Sequence, residues 1–224
     1  MKKRVILFVV EGPSDQDALI PFIENEVQSN KMRTTVKNMH GDILTKYIDG
    51  TRRYEVNTSN VRRELSKKID EYLDLPSIKS EQIKRKDLKK IYYITDTDYC
   101  FFQEFEHSKN KKECLMKIFY FEKLELKNNI EVDIDVIFFS KHLEHVLRNI
   151  EENLSNKEKA KIAIEFSKES LKNRSFYIDT FKNQKNLKTW KSFSDSYIGI
   201  QNCRDRACNM NNLLDEIESW KTIK

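Results

Sequence analysis

Hydrophobic residues along the chain fall into two kinds of pattern, and they alternate. The first is the unbroken run Val5 to Val10, which stops at Glu11 and Gly12. A short continuous apolar stretch rich in β-branched residues predicts a central strand of a parallel sheet covered on both faces. Behind it Ala18, Leu19, Phe22, Ile23 and Val27 recur at helical spacing, and Ser14 or Asp15 is placed to cap the first turn. A second strand is predicted over 34–39, turning at His40, Gly41 and Asp42. A helix from about Asn60 to Leu73 presents Val61, Leu65, Ile69, Tyr72 and Leu73 on one side. The basic stretch IKRKDLKK leads into IYYITDTDYC, a third buried strand ending in two aspartates. Residues 112–127 read as a helix, Glu131 to Ser140 as a fourth strand, and KHLEHVLRNI as a helix again.

Strand and helix patterns in this order predict βαβ units, hence an α/β fold with a mostly parallel four-stranded sheet flanked by helices and right-handed crossovers. Beyond residue 150 the strand signal fades. NKEKAKIAIEFSKESLKN and RACNMNNLLDEIESWKTI both read as amphipathic helices, so residues 1–150 are assigned to the core and 151–224 to a C-terminal helical extension packed on it. At 224 residues such a chain buries a sizeable core, and with four Gly and three Pro few flexible linkers are expected.

Charge changes the picture only a little. Forty-one Lys and Arg against 36 Asp and Glu give a net charge of +5, which permits polyanion binding without requiring it. Cys100, Cys114, Cys203 and Cys208 form no C-x-x-C pair, and an acidic residue interrupts the N-terminal apolar run after position 10, so no signal peptide is expected. Reduced thiols and a cytoplasmic location follow as expectations. No stretch approaches the roughly 20 apolar residues of a membrane-spanning helix, and no membrane partner is expected.

The candidate chemistry collects at strand ends. In an open parallel sheet, ligands bind beyond the carboxyl ends of the strands, and Glu11, Asp96 and Asp98 all sit there. Asp96 and Asp98 are two apart, so in an extended segment their side chains share a face. Such a cluster of like charges is costly unless a cation or shared protons neutralise it. Oxygen ligands without zinc-spaced Cys or His favour a hard cation, Mg²⁺ or Mn²⁺, whose remaining ligands are typically waters and substrate phosphates. That chemistry points to phosphodiester cleavage. Glu11 then ends a strand, Gly12 allows a tight turn, and the helix N-terminus behind it favours phosphate.

These residues carry a family resemblance. VVEGPSD followed at positions 94–98 by ITDTD resembles the Toprim domain, in which one hydrophobic strand ends in Glu-Gly and a later one in D-x-D. The segment FFSKHLEHVL is similar to the Ser-x-x-Leu-Glu-like stretch of the OLD-type nucleases, with Ser140 one residue farther from Glu144 than in the commonest form. The resemblance covers roughly residues 4–150. It implies a Toprim/Rossmann-like core and a Mg²⁺- or Mn²⁺-dependent nuclease acting on RNA, with tRNA one such substrate, or on DNA. It also implies a place for Glu144 beside Glu11, Asp96 and Asp98 as a metal ligand, while Asp15 reads either as a helix cap or as a further metal ligand. Lys141, just past the fourth strand, is a candidate to stabilise developing phosphate charge. The chain lacks G-x-x-x-x-G-K-[ST], so the ATPase half of an OLD-type nuclease is absent. Stand-alone Toprim proteins of this size resemble toxic effectors of bacterial anti-phage systems controlled by a separate ATPase sensor. The oligomeric state stays open, a homodimer included.

Two other functions remain open at this point. A nucleotide-sugar glycosyltransferase would use Asp96 and Asp98 as its D-x-D but gives Glu11 no task. A non-catalytic Toprim-like binding module would need none of the carboxylates. EGPSD has a single glycine, too few for a dinucleotide fingerprint. His40, Gly41 and Asp42 face the same edge and are candidates to touch phosphate. Residues 84–90 and the Arg204/Arg206 pair are assigned to solvated faces, with contact to a nucleic-acid backbone as the alternative. His145 is assigned to the surface, and Tyr92, Tyr93, Phe101 and Phe102 to the core or sheet edge.

Overall fold

A computed structural model describes residues 4–29, 34–51, 53–98, 100–101 and 106–222. Phe102 lies outside them. The chain runs β1 (Arg4–Val10), α1 (Pro13–Ser29), β2 (Thr34–His40), α2 (Val61–Leu73), α3 (Pro76–Ser80), β3 (Leu88–Asp96) and α4 (Glu106–Ile118). It continues through β4 (Lys123–Leu126), β5 (Ile130–Phe139), α5 (Leu143–Arg148), α6 (Asn156–Lys172), α7 (Arg174–Lys182), α8 (Phe193–Gly199) and α9 (Met210–Thr222). The fold is α/β, with a five-stranded sheet of order β2-β1-β3-β5-β4 in which only β4 is antiparallel. Among the described residues no helix is long and apolar enough to cross a membrane.

The apolar runs sit at the centre of the sheet because both of its faces are covered. Val5, Leu7 and Val9 of β1 belong to one buried cluster, with residues of α2 and α4. Ile6, Phe8 and Val10 belong to the other, with residues of α1, α6, α7 and α9. Burying every residue of a strand in this way requires helices on both sides, as the unbroken pattern of β1 implies. Residues 151–224 therefore supply much of the second layer, with Ile162, Phe166, Tyr177, Phe181, Leu213 and Ile217 all buried against Phe8, Tyr92 and Phe139.

The fifth strand corrects the expectation of one helix over 112–127. Helix α4 stops at Ile118, and in β4 buried Leu124 and Leu126 alternate with exposed Lys123 and Glu125. That two-residue period is the signature of a strand with one face on the core. Asn128 and Asn129, both left-handed (φ 65° and 55°), turn the chain into β5, a conformation Asn tolerates better than most residues.

Strand order decides where a ligand would go. From β1 the chain crosses to β2 on one side and later returns to β3 on the other. The carboxyl ends of β1 and β3 thus flank a topological switch point, where the outgoing connections diverge and leave a crevice.

Candidate active site

Glu11 and Asp96 meet at that crevice through the backbone as well as through charge. The Glu11 N–H donates to the Ile94 carbonyl (3.1 Å), continuing the β1–β3 ladder one residue past the strand. Its Oε2 accepts from the Thr95 hydroxyl (2.5 Å) and the Asp96 N–H (3.0 Å). Gly12 follows outside the left-handed region, so the short turn from β1 into α1 does not itself require glycine there. What limits the position is crowding, since a Cβ there would lie 3.2 Å from Asp15 Oδ2.

Lys111 of α4 holds the cluster together. Its ammonium, only 2% exposed, donates to Glu11 Oε1 (2.8 Å), Glu11 Oε2 (3.1 Å) and Asp98 Oδ2 (2.7 Å). Burial works to lower its pKa, but the charges of Glu11 and Asp98 outweigh burial and hold it well above the ordinary lysine value. Sequence reasoning missed this residue because NKKE reads as a solvated helix face. The signal was present in the spacing: Ser108, Lys111, Cys114, Leu115 and Ile118 form one buried stripe.

One lysine does not neutralise the site. Burial, then the charges of Asp15 and Glu11, push the Asp96 carboxyl well above its ordinary value, and its buried Oδ1 has no hydrogen-bond partner among the described residues. Asp15 is pushed up to about 7 by burial and by the charges of Glu11 and Glu144, with Lys159 and the Gly12 backbone opposing. Glu144 is 3% exposed, where burial works to raise it. His142, whose Nδ1 lies 3.0 Å from Oε2, its own backbone and Lys159 outweigh burial and leave it lower than usual. Glu11, Asp15, Asp96, Asp98 and Glu144 are thus linked electrostatically, through one another and Lys111.

Asp98 departs from the expected geometry. It lies past the end of β3 in the left-handed region (φ 48°), so it does not share an extended face with Asp96. Its N–H donates to the Lys141 carbonyl (2.6 Å), and Lys141 is left-handed too (φ 60°). Two non-glycine residues held this way side by side are the kind of backbone strain that collects at functional sites. The Lys141 side chain pairs with Glu151. Ser140 is fully buried, and its hydroxyl accepts from the Ala207 N–H (2.7 Å), tying the extension to the end of β5.

Other candidates separate clearly. Tyr92, Tyr93 and Phe101 are core residues. His145 is buried, contrary to its surface assignment, with Nδ1 3.1 Å from the Ser140 carbonyl oxygen. His40 lies 3.2 Å from Gln16 Oε1, the Gly41 N–H donates to the Val10 carbonyl, and Asp42 accepts from the Thr45 N–H. The basic run at 84–90 belongs to the opposite edge of the sheet, where Arg85 pairs with Asp70 and Asp74, and Lys90 with Asp135 and Glu216. All four cysteines are free thiols and buried.

The donor set is all oxygen and over-rich in negative charge, which fits a hard divalent cation. The partnerless Asp96 Oδ1 is an unused ligand atom of the right kind. Among the described residues, however, no three His, Cys, Asp or Glu side chains converge closely enough to form a metal shell. The ammonium of Lys111 stands between two of the carboxylates. Compared with protein-family models, curated proteins and solved structures, the chain matches none.

Proposed function

We propose that this protein is a Mg²⁺- or Mn²⁺-dependent phosphodiesterase acting on nucleic acid, a Toprim-type nuclease. The observation that carries the reading is that Glu11, from the end of β1, and Asp98, beyond β3, share the Lys111 ammonium at the switch point of the sheet. A nucleotide-sugar glycosyltransferase needs only the D-x-D pair and leaves the linkage to Glu11 without a purpose. A pure binding module leaves the raised carboxyls of Asp15 and Asp96 and the partnerless Asp96 Oδ1 without one.

In this reading Glu11, Asp96 and Asp98 would supply ligands to one cation and Asp15 and Glu144 to a second, once their side chains shift from the positions described. A bound divalent ion would supply charge stabilisation at the phosphoryl oxygens and an activated water. The chain's own groups do the rest. Thr95 and the Asp96 N–H orient the Glu11 carboxylate. Lys111, kept protonated, offers a fixed positive charge to a phosphate that enters the crevice. His142 fixes the Glu144 carboxylate. The wider role as a toxic anti-phage effector governed by an ATPase partner rests on the family resemblance alone.

The test is cleavage of labelled single-stranded RNA, tRNA and DNA in Mn²⁺ by the wild type and Glu11→Gln, a variant that keeps the side chain's shape and one of its two acceptor oxygens. Cleavage is expected to fall by roughly two orders of magnitude or more. Undiminished cleavage by Glu11→Gln would remove Glu11 from the reaction and the proposal with it.

A further inference from the structure

A cavity of about 600 Å³ opens beside the carboxylate cluster, and its lining joins α5 to the extension. Four cationic residues, Lys141, Lys188, Arg204 and Arg206, line it with two acidic ones, Glu151 and Asp205; Lys141 is paired with Glu151, and Arg204 donates to the Phe101 carbonyl. The sequence alone assigned Arg204 and Arg206 to a solvated face, with contact to a nucleic-acid backbone as the alternative. Their position follows from a pairing that sequence reasoning did not anticipate: the Lys188 N–H donates to the Arg206 carbonyl (2.8 Å) and the Cys208 N–H to the Lys188 carbonyl (3.1 Å). That bridge brings Lys188 beside Arg206 across the α8 segment between them.

Two observations mark the cavity as a place for an anion. The buried Nε of Arg206 has no hydrogen-bond partner among the described residues, although an Nη of the same guanidinium donates to the Lys185 carbonyl (2.7 Å). A buried donor left unmatched is costly, and the residue that carries it lines the cavity. The cavity is also linked to the carboxylates by one residue. Lys141 lines it and, through its carbonyl, holds the N–H of Asp98.

We infer that this cavity binds the sugar-phosphate backbone of a single-stranded nucleic acid next to the bond to be cut. The inference rests on the nuclease reading and extends it to the form of the substrate. The carboxylate cluster repels a polyanion, so an adjacent cationic recess is what brings the strand in. A recess of this size takes a ligand of nucleotide scale, whereas a duplex holds its phosphates on a rigid convex surface and meets only the rim. Among the described residues no Phe, Tyr or Trp lines the cavity, and its one ring, His145, is buried with Nδ1 3.1 Å from the Ser140 carbonyl oxygen, so recognition is of phosphate rather than of base.

The test is fluorescence anisotropy with labelled homopolymeric single strands of RNA and DNA and with a duplex of equal length, in chelator so that nothing is cut. Wild type is compared with Lys188→Glu, whose side chain is exposed, with Lys188→Glu/Arg206→Glu, and with the control Lys168→Glu on the outer face of α6. Single-strand affinity is expected to drop roughly tenfold or more in the double variant, and less in Lys188→Glu. The salt dependence is expected to become shallower in both, while Lys168→Glu stays near wild type. Equal losses in Lys168→Glu, no loss in Lys188→Glu, or a duplex bound as tightly as the single strand would each overturn the inference. Mn²⁺ titration of the same variants separates it from the nuclease reading: metal binding is expected to be unchanged, and a wild type that binds strands but no metal would sink the nuclease and leave the cavity standing.

Discussion

Lys111 lies where two carboxylates from different segments need a counter-charge, and removing that charge isolates them. Lys111→Met is expected to cost about 3 kcal/mol of stability in metal-free protein at neutral pH, the usual scale for breaking one side of a buried pair. Added Mn²⁺ is expected to raise the melting temperature of this variant more than that of the wild type, because the cation meets unpaired ligands. Equal Mn²⁺ shifts in both would mean that Lys111 does not stand in for a cation. The pH dependence follows from Asp15 and Asp96. Both carboxyls titrate higher in the folded chain than the ordinary aspartate value of 3.8, so the folded chain binds more protons than the unfolded one above that value. Stability is then greatest at acid pH and is lost as pH rises through about 7 for Asp15. Metal-free melting temperatures are expected to fall by several degrees between about pH 5 and pH 7.5, and Asp15→Asn to flatten that slope. A wild-type slope of the opposite sign would contradict the burial of these groups. Glu11, Asp96 and Asp98 were legible in the sequence because each interrupts or follows an apolar strand. Lys111 was not, because its partners are brought to it only by the packing of α4 over the sheet.

Among the elements, strand β5 shows how the extension is tied in. Short β4 pairs only with residues 130–133, which leaves the far half of β5 as an open edge. The extension closes it. The Phe138 N–H donates to Asn209 Oδ1 (2.9 Å), Asn209 Nδ2 donates to the Val136 carbonyl (2.9 Å), and the Val136 N–H donates to the Tyr197 hydroxyl (2.8 Å). A covered edge of this kind also protects against strand pairing between chains. Asn209→Ala leaves one buried donor and one acceptor without partners and is expected to cost about 2–4 kcal/mol in chemical denaturation. A loss under about 0.5 kcal/mol would show that this edge is satisfied in another way. The parallel strands were readable because their apolar runs are unbroken. Strand β4 was not, since four residues alternating Lys, Leu, Glu, Leu also satisfy a helical turn. Nor was the 188–207 pairing, which joins two segments with no strand pattern of their own.

For the molecule as a whole, topology sets the site. The order β2-β1-β3-β5-β4 opens a crevice between the ends of β1 and β3, and Glu11 and Asp98 reach it from segments far apart in sequence. Extension helices complete the second core layer, and the loop carrying Arg204 and Arg206 forms a wall of the neighbouring cavity. Sequence alone could place the carboxylates at one edge but not the cations beside them. The central claim is that carboxylates on two strands share one divalent cation. Calorimetric titration of Mn²⁺ into wild type, Glu11→Gln and Asp98→Asn tests it without a known substrate. Saturable binding by the wild type, weakened roughly tenfold or more by each substitution, is the expected result. Binding that ignores Glu11→Gln, or none in the wild type, would contradict the shared site.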